Sequence, residues 1–249
     1  MTNSGHPNPE PERGRRVETV PAYEADPGDH RAILDEFITE QGWDTRAWPH
    51  DTIHVIDASQ TLRIQFLNDA DPREDAWTIA AYDTPVSDRI WHLTLTAGTP
   101  APVLKRLLTV LAEEDWGPAD FITDQSVAQV TRPLLDAAWQ PTPPGRWLHW
   151  KPLHGNVRLS LDVFAAQDPD STLTAWTISA GADMNRPDWA INASTHIPAP
   201  LLTPLADELA HGTGTGTRST GRCTAERSTQ TTTTLPPEPS QGPSTPPRR

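Results

Sequence analysis

An internal duplication constrains this chain more than any other feature of its sequence. The segment that begins Ala76-Trp77-Thr78-Ile79 returns as Ala175-Trp176-Thr177-Ile178, and each copy continues through a second Trp-led run into an apolar helical pattern. Four landmarks keep their order at spacings of 98 or 99 residues: Trp77 and Trp176, Trp91 and Trp189, Pro100 and Pro198, and Leu104 and Leu202. We therefore predict two tandem copies of one structural unit.

Alternating apolar and polar residues predict the strands of this unit. In copy one the apolar sets are Ile53 and Val55; Leu62, Ile64 and Phe66; Trp77, Ile79 and Ala81; and Trp91, Leu93 and Leu95. Copy two repeats them with Leu148 and Trp150, Leu159 and Leu161, Trp176 and Ile178, and Trp189, Ile191 and Ala193. Such alternation is typical of strands with one buried and one wet face, which antiparallel sheets permit.

Helical spacing of apolar residues predicts a helix on either side of each set of strands. Before copy one, an apolar stripe at 33–38 lies between a candidate N-cap, Asp29, and a candidate stop, Gly42. A short helix from about Ser126 takes the same place before copy two. Leucine-rich stripes at 103–111 and 201–209 predict the closing helices, and Pro204 predicts that the second is bent or shortened.

These patterns predict an α+β fold. Each of two tandem repeats has a four-stranded antiparallel sheet, with a helix before it and a helix after it on one face. We expect a disordered arm at 1–16, repeat 1 at 17–115, a linker at 116–125, repeat 2 at 126–211 and a disordered tail rich in Thr, Pro and Gly at 212–249.

Charge and cysteine usage exclude several classes of protein. The net charge is −13, and because the charges of the two ends cancel, residues 31–210 carry all of it. A body this acidic repels a phosphate backbone, so we expect no nucleic acid on the folded part. Cys223 is the only cysteine, which leaves no intrachain disulfide. With neither a signal peptide nor a membrane-spanning run in the sequence, we expect a cytoplasmic protein with no membrane contact.

The candidate binding site is a polar sheet face that is also duplicated. His54 and His149 are 95 residues apart, as are Arg63 and Arg158, and each residue lies between apolar positions of a predicted strand. If these strands pair as hairpins, four residues of each copy share the outward face: His54, Arg63, Thr78 and Thr94, and His149, Arg158, Thr177 and Asn192. Such a face suits a peptide, a carboxylate or the other repeat, although wet sheet faces carry such residues in any case.

No residue pattern predicts catalysis, a metal site or a cofactor. His50 and His54 have the spacing of helical zinc ligands, but Pro49 and the alternation that follows place them on a loop and a strand. His92 with Asp83 or Asp88 resembles an acid–base pair, yet copy two has Ala190 at the position of His92. The glycines at 212–216 lack the Lys, strand and helix of a phosphate loop.

The motifs of the repeat resemble a known family. They are Val20-Pro21-Ala22-Tyr23 with Asp26-Pro27-Gly28-Asp29, Gly42-Trp43, the Trp77 strand, and Trp91 followed by Thr99-Pro100. Together they resemble domain-of-unknown-function family 317, which is actinobacterial, common in streptomycetes and typically tandem. The resemblance covers residues 17–210 and departs from the pattern at Ala138 and Ile197. It implies the duplicated architecture and lends no catalytic residue.

Internal symmetry without a catalytic set favours a non-catalytic binding or adaptor protein. We expect it to hold a protein or peptide partner on the duplicated sheet face or in a groove between the copies. The alternative is an enzyme or small-molecule binder with a pocket between the repeats and His92 as its candidate functional residue. A regulatory or assembly role through the two chain ends is a third hypothesis. The oligomeric state is left open.

Overall fold

The computed structural model describes residues 16–48, 51–113, 116, 121–143, 145–168, 171 and 173–218. The helices are α1 (His30–Gln41), α2 (Ala101–Glu113), α3 (Asp124–Asp136), α4 (Val163–Gln167) and α5 (Ala199–His211), with a 3-10 turn at Ala22–Glu24. The strands are β1 (Arg16–Pro21), β2 (Asp44–Trp48), β3 (Thr52–Ile56), β4 (Leu62–Leu67), β5 (Asp75–Tyr82), β6 (Arg89–Thr96), β7 (Gln140–Pro141), β8 (Trp147–Lys151), β9 (Val157–Asp162), β10 (Trp176–Ala180), β11 (Trp189–Ala193) and β12 (Thr213–Arg218).

One antiparallel sheet of ten strands runs through both copies, in the order β2-β3-β4-β5-β6-β11-β10-β9-β8-β7. Each copy supplies five consecutive strands of it, β2–β6 and β7–β11. The α+β class and the tandem repeat are therefore confirmed, but the predicted four-stranded sheet is corrected to five. The extra strand of each copy, β2 or β7, lies at an outer edge of the sheet.

The two copies join through the strands that each contributes last. Strand β6 pairs with β11, which places Thr94 opposite Asn192, Leu93 opposite Ala193 and Leu95 opposite Ile191. Thr94 and Asn192 are equivalent residues of the repeat, 98 positions apart. An element that pairs antiparallel with its own copy, at equivalent residues, generates a local twofold axis, as in an isologous dimer. The duplicated chain therefore contains such an interface within itself.

The helices cover one face of the sheet, and the core lies between the two. Apolar residues of α1, α2, α3 and α5 belong to one buried cluster with the apolar residues of the strands. At the centre α2 packs against α5, while α1 flanks α2 and α3 flanks α5. Trp77 on β5 and Trp176 on β10 are both buried, at 0% and 2% exposure. These two tryptophans occupy equivalent places in the two copies, as the duplication predicts.

Helix ends follow the local sequence signals closely. Asp29 caps α1 by accepting a hydrogen bond from the Ala32 N–H, and Gly42 ends it in the left-handed conformation with φ of 65°. Helix α5 contains Pro204, but at 13 residues it is as long as α2, so of the two predicted alternatives, a bent or a shortened helix, the shortened one is wrong. Because α3 already begins at Asp124, capped by Thr123, repeat 2 starts slightly before the predicted linker ends.

The chain ends meet in a second, two-stranded sheet. Strand β1 pairs antiparallel with β12, from Arg16 opposite Arg218 to Pro21 opposite Thr213. This pairing corrects only the start of the predicted tail, since residues 213–218 form a strand. Residues 1–15 and 219–249, the rest of the predicted arm and tail, lie outside the described part of the chain.

Candidate functional site

A row of polar residues crosses the sheet on the face opposite the helices, which we call the open face. Strand register aligns nine residues across nine adjacent strands: Arg46, His54, Gln65, Thr78, Thr94, Asn192, Thr177, Ser160 and His149. Six of the eight predicted site residues belong to this polar row. The twofold at Thr94 and Asn192 relates its halves, so His54 and His149 are equivalent. The structure thus brings residues of both copies onto one surface.

The two remaining predicted residues, Arg63 and Arg158, lie on the same face beside the polar row. Arg63 lies opposite Ala80 on β5, and Arg158 lies opposite Ser179 on β10. Each guanidinium donates through Nη2 to a carbonyl of the next hairpin loop, Arg63 to Pro85 and Arg158 to Met184, the latter at 3.2 Å. Both arginines are therefore held against the ends of the sheet hairpins.

The copies differ in what covers each arginine. Tyr82 places its ring 4.2 Å from the guanidinium carbon of Arg63, a cation–π contact. The equivalent position in copy two is Gly181. The Tyr82 N–H donates to the Thr61 carbonyl, and the Gly181 N–H donates to the Asn156 carbonyl. Thr61 and Asn156 are 95 residues apart, which is the spacing of equivalent residues in this part of the repeat. Copy two has no side chain at this position, so its arginine is not covered as Arg63 is.

A shallow depression of about 290 Å³ opens beside Arg158. We call it the copy-two depression; its lining residues are Trp147, His149, Arg158, Ser160 and Thr177. Three of them, His149, Arg158 and Thr177, are predicted site residues. In copy one the positions of Trp147 and Ser160 hold Thr52 and Gln65. Copy two therefore has an aromatic wall and a smaller floor where copy one has a hydroxyl and a longer amide.

Hydrogen bonding and stacking fix the histidine of the depression. Nδ1 of His149 lies 2.8 Å from the Ser160 hydroxyl, and its ring is stacked on Trp147 with centroids 6.3 Å apart and planes 7° apart. Burial lowers the pKa of His149, and the charges of Arg158 and Lys151 lower it further. His149 is accordingly neutral at pH 7, because its ordinary pKa of about 6.5 is already below that pH.

Trp147, which forms one wall of the depression, contacts the side chain of Arg146. The Arg146 guanidinium lies 5.6 Å from the Trp147 ring and 5.7 Å from the Phe164 ring. It also donates to the buried carboxylate of Asp162 at 3.0 Å. Burial raises the pKa of Asp162, but the Arg146 hydrogen bond and the N–H groups of Ala165 and Phe164 outweigh it, so the net shift is downward. The ionised Asp162 thus anchors Arg146 and the first turn of α4.

His92, the residue named in the enzyme hypothesis, also lies on the open face, opposite Ala80 on β5. Burial lowers its pKa, and the charge of Arg89 lowers it further. A working pair with Asp83 or Asp88 would shift the pKa in the other direction. The electrostatic surroundings of His92 therefore do not support that pairing.

A second cavity, of about 400 Å³, lies where the copies meet at one end of the sheet. Copy one lines it with Tyr23 and Gly98, and copy two with Asn156, Gly181, Asp188 and Trp189. Across the same junction Arg73 donates to Asp188 at 2.7 Å. Burial, and secondarily Glu24, raises the pKa of Tyr23, so this phenol is neutral at pH 7. The residues that line this cavity do not include His92.

Among the described residues, no group of three or more His, Cys, Asp or Glu side chains is placed to hold a metal ion. His50 and Cys223 lie outside the described residues. Nor does the described chain contain a helix long and apolar enough to cross a membrane.

Sequence reasoning missed Trp147, Ser160 and Gly181 as contributors to the site. The predicted site residues are polar in both copies, whereas these three residues differ between the copies. A position-by-position comparison at the spacing of 95 would have revealed two of them, because Thr52 aligns with Trp147 and Gln65 with Ser160. The informative signal was thus the divergence between the repeats.

Comparison with known proteins agrees with the duplicated architecture. The model of SPDY, a domain of unknown function (DUF317), matches residues 59–116 and again residues 154–215. Each match begins in the β3–β4 or β8–β9 hairpin region and includes the closing helix of its copy, α2 or α5. No curated protein and no solved structure matches the chain. The chain therefore belongs to the DUF317 family, as a tandem of two SPDY domains.

Proposed function

We propose that this chain is a non-catalytic adaptor that holds a protein or peptide partner on the open face of its ten-stranded sheet. The observation that carries the proposal is the polar row, which joins equivalent residues of both copies into one surface. We further propose that it acts in the cytoplasm of an actinobacterium, as its acidic composition and its family resemblance favour.

The dimensions of the polar row favour an extended partner. Nine adjacent strands separated by about 4.8 Å give the row a length of about 38 Å. An extended peptide rises about 3.4 Å per residue, so about eleven residues span it. Side chains such as His54, Thr78 and Thr177 offer hydrogen bonds along this path. A small molecule would occupy only a fraction of it.

The contact between His149 and Ser160 favours binding over nucleophilic catalysis. Ser160 is only 2% exposed, so its hydroxyl has little access to an incoming substrate. It lies on a flat strand, β9, and not on the sharp turn that exposes a nucleophile in hydrolases. Ser160 accordingly serves to orient the His149 ring.

Affinity capture with matched variants tests the proposal. The full chain serves as bait in the native cytosol beside a variant with four changes on the open face: His54→Ala, Arg63→Ala, His149→Ala and Arg158→Ala. We expect the partner recovered by the parent to be lost by this variant. A control with Arg132→Ala and Asp136→Ala, an exposed pair on α3, should retain it. Equal recovery by the parent and the open-face variant would refute the proposal.

The second cavity, which lies where the copies meet beside Gly98 and Trp189, supports a second candidate function, a small-molecule binder. Its volume of about 400 Å³ is within the range of small-ligand sites, and both copies line it. A thermal-shift screen of metabolites on the parent and on Asp188→Asn tests this candidate. A compound that stabilises only the parent supports it. If every stabilising compound acts equally on both proteins, the cavity is not the binding site.

A further inference from the structure

We infer that the copy-two depression binds a carboxylate carried by an acidic segment of the partner, with Arg158 as the charged contact. The inference rests on the proposed function and adds a ligand class to it. It also assigns the two copies different roles. Copy two supplies the charged contact, and copy one extends the polar surface.

Charge is the first argument. The chain as a whole has a net charge of −13, yet the residues that line the depression include a guanidinium and no acid. Lys151 follows Trp150 on β8, and its charge acts on His149 together with that of Arg158. The nearest carboxylate along β9, Asp162, is buried and paired with Arg146. A positive site attracts an anion at short range, and it does so here against the net negative charge of the whole protein.

Access to the guanidinium is the second argument. In copy one, the Tyr82 ring occupies the face of the Arg63 guanidinium. In copy two, the equivalent Gly181 places no ring on the Arg158 guanidinium, although Arg158 is half-buried and its Nε is fully buried. The hydrogen bond from Arg158 to the Met184 carbonyl holds the group in place. A cation fixed before binding loses less conformational entropy when it pairs with a carboxylate.

The walls of the depression complete the recognition. When Ser160 donates its hydroxyl hydrogen to Nδ1 of the neutral His149, Nε2 carries the ring hydrogen and offers a second donor. Trp147 is 39% exposed and presents an apolar surface. The methylene groups of a glutamate side chain fit against such a ring. A carboxylate on a short apolar stem therefore matches the charge, the donor and the wall.

The test is a titration of the 15N-labelled full chain with three tetrapeptides, followed by NMR. Tetraglutamate is the probe, tetraglutamine is the neutral control and tetralysine is the control of opposite charge, all with acetylated and amidated ends so that neither control carries a carboxylate. We expect a saturable shift of the Trp147 indole signal, assigned with Trp147→Phe, with tetraglutamate alone. Raising the salt concentration should weaken this binding, because the half-buried Arg158 still faces solvent, where ions screen the contact. Equal shifts with all three peptides, or none, would overturn the inference.

Matched arginine variants identify the copy responsible. Arg158→Gln should weaken tetraglutamate binding at least tenfold, whereas Arg63→Gln, the equivalent change in copy one, should alter it less than twofold. The spectra themselves report whether each variant is folded. Similar losses in the two variants would contradict the assignment to copy two.

Inorganic phosphate distinguishes the source of the anion. Phosphate that moves the same signals at lower concentration than tetraglutamate would replace the carboxylate by a phosphoryl group and overturn the inference. If tetraglutamate fails while the open-face variant still loses its partner, only the ligand class is wrong. Failure of the capture experiment together with binding of tetraglutamate would instead overturn the adaptor function and retain the depression as an anion site.

Discussion

Gly42 and Ala138 take the same place after the first helix of each copy, but only one of them is a glycine. Both adopt the left-handed conformation, with φ of 65° at Gly42 and 60° at Ala138. A Cβ built on Gly42 meets nothing within 4 Å, so the difference between the copies is one of backbone strain alone. An L-residue with a side chain pays about 1 kcal/mol in this conformation.

Ala138→Gly should therefore raise the free energy of unfolding by about 1 kcal/mol, because it removes that strain. Gly42→Ala should lower it by a similar amount. Urea denaturation of the two variants and the parent measures both changes. Ala138→Gly without a gain in stability would show that the turn after α3 does not hold the left-handed conformation.

His30 is a buried residue that ties α1 to copy one's tryptophan strand. The Trp77 indole N–H donates to Nδ1 of His30 at 3.1 Å, and Nε2 of His30 lies 2.8 Å from the Thr99 carbonyl. Because an indole only donates, Nδ1 must be unprotonated and Nε2 must carry the hydrogen. Burial lowers the pKa of His30, although the Thr99 carbonyl and Asp29 oppose the shift. The folded state thus holds this histidine neutral.

This lowered pKa predicts a loss of stability in acid. Below about pH 6.5 the unfolded chain binds a proton at His30 that the folded chain does not, so stability falls as the pH decreases towards the folded pKa. His92 and His149 act in the same direction, since burial also lowers their pKa values. In His30→Gln, the slope of unfolding free energy against pH between 5 and 6.5 should decrease, by up to about 1.4 kcal/mol per pH unit. An unchanged slope would mean that His30 titrates alike in both states.

At the scale of elements, β12 shows how a low-complexity pattern can encode a strand. Its Thr-Gly alternation turns Thr213, Thr215 and Thr217 outward, while Gly214 and Gly216 face the rest of the protein. A Cβ at Gly214 would lie 2.5 Å from the Ala25 Cβ and 2.9 Å from the Pro102 Cγ. The absence of side chains is therefore what permits close packing. Apolar periodicity cannot detect a strand whose inner face is glycine.

Gly214→Ala should destabilise the protein by about 1–3 kcal/mol, because the new methyl group overpacks this contact. Thr215→Ala, on the exposed side of the same strand, is the matched control and should change stability by less than about 0.5 kcal/mol. Thermal unfolding of both variants gives the comparison. Equal effects would argue against the packing of β12 on the body of the protein.

The elements that the sequence predicts are those with their own periodic pattern. Strand β5 is predicted by the alternation of Trp77, Ile79 and Ala81. The two ends of α1 are predicted by Asp29 and Gly42. The missed elements lack such a signal: β2 has no apolar alternation, β7 has only two residues, and α4 is a single short helix. Contacts with neighbouring strands, and not local propensity, determine β2 and β7.

The candidate site divides in the same way. The alternation around His54 and His149 is sufficient to predict a shared polar face, because side chains on a strand point to opposite sides in turn. It does not give the pairing of β6 with β11, which aligns Thr94 with Asn192 and makes one surface of two. That register, like the packing of α2 against α5, is a tertiary contact between the copies that no pattern within one strand encodes. The divergence at Tyr82 and Gly181 acquires meaning only when Arg63 and Arg158 are seen beneath those positions.

The whole molecule behaves as one body built around a local twofold. The β6–β11 pairing converts what would be two exposed sheet edges into the centre of a continuous sheet. Only β2 and β7 are left as its outer strands, and β7 is short and contains Pro141, a residue that blocks further pairing.

The distance between His54 and His149 tests the continuous sheet most directly. Both are changed to Cys and spin-labelled in a Cys223→Ser chain, and the distance is measured by pulsed electron paramagnetic resonance. Seven strand spacings of about 4.8 Å predict a narrow distribution near 34 Å between the backbone positions. A broad distribution of distances, or a mean distance above about 45 Å, well beyond seven strand spacings, would show that the copies do not share one sheet.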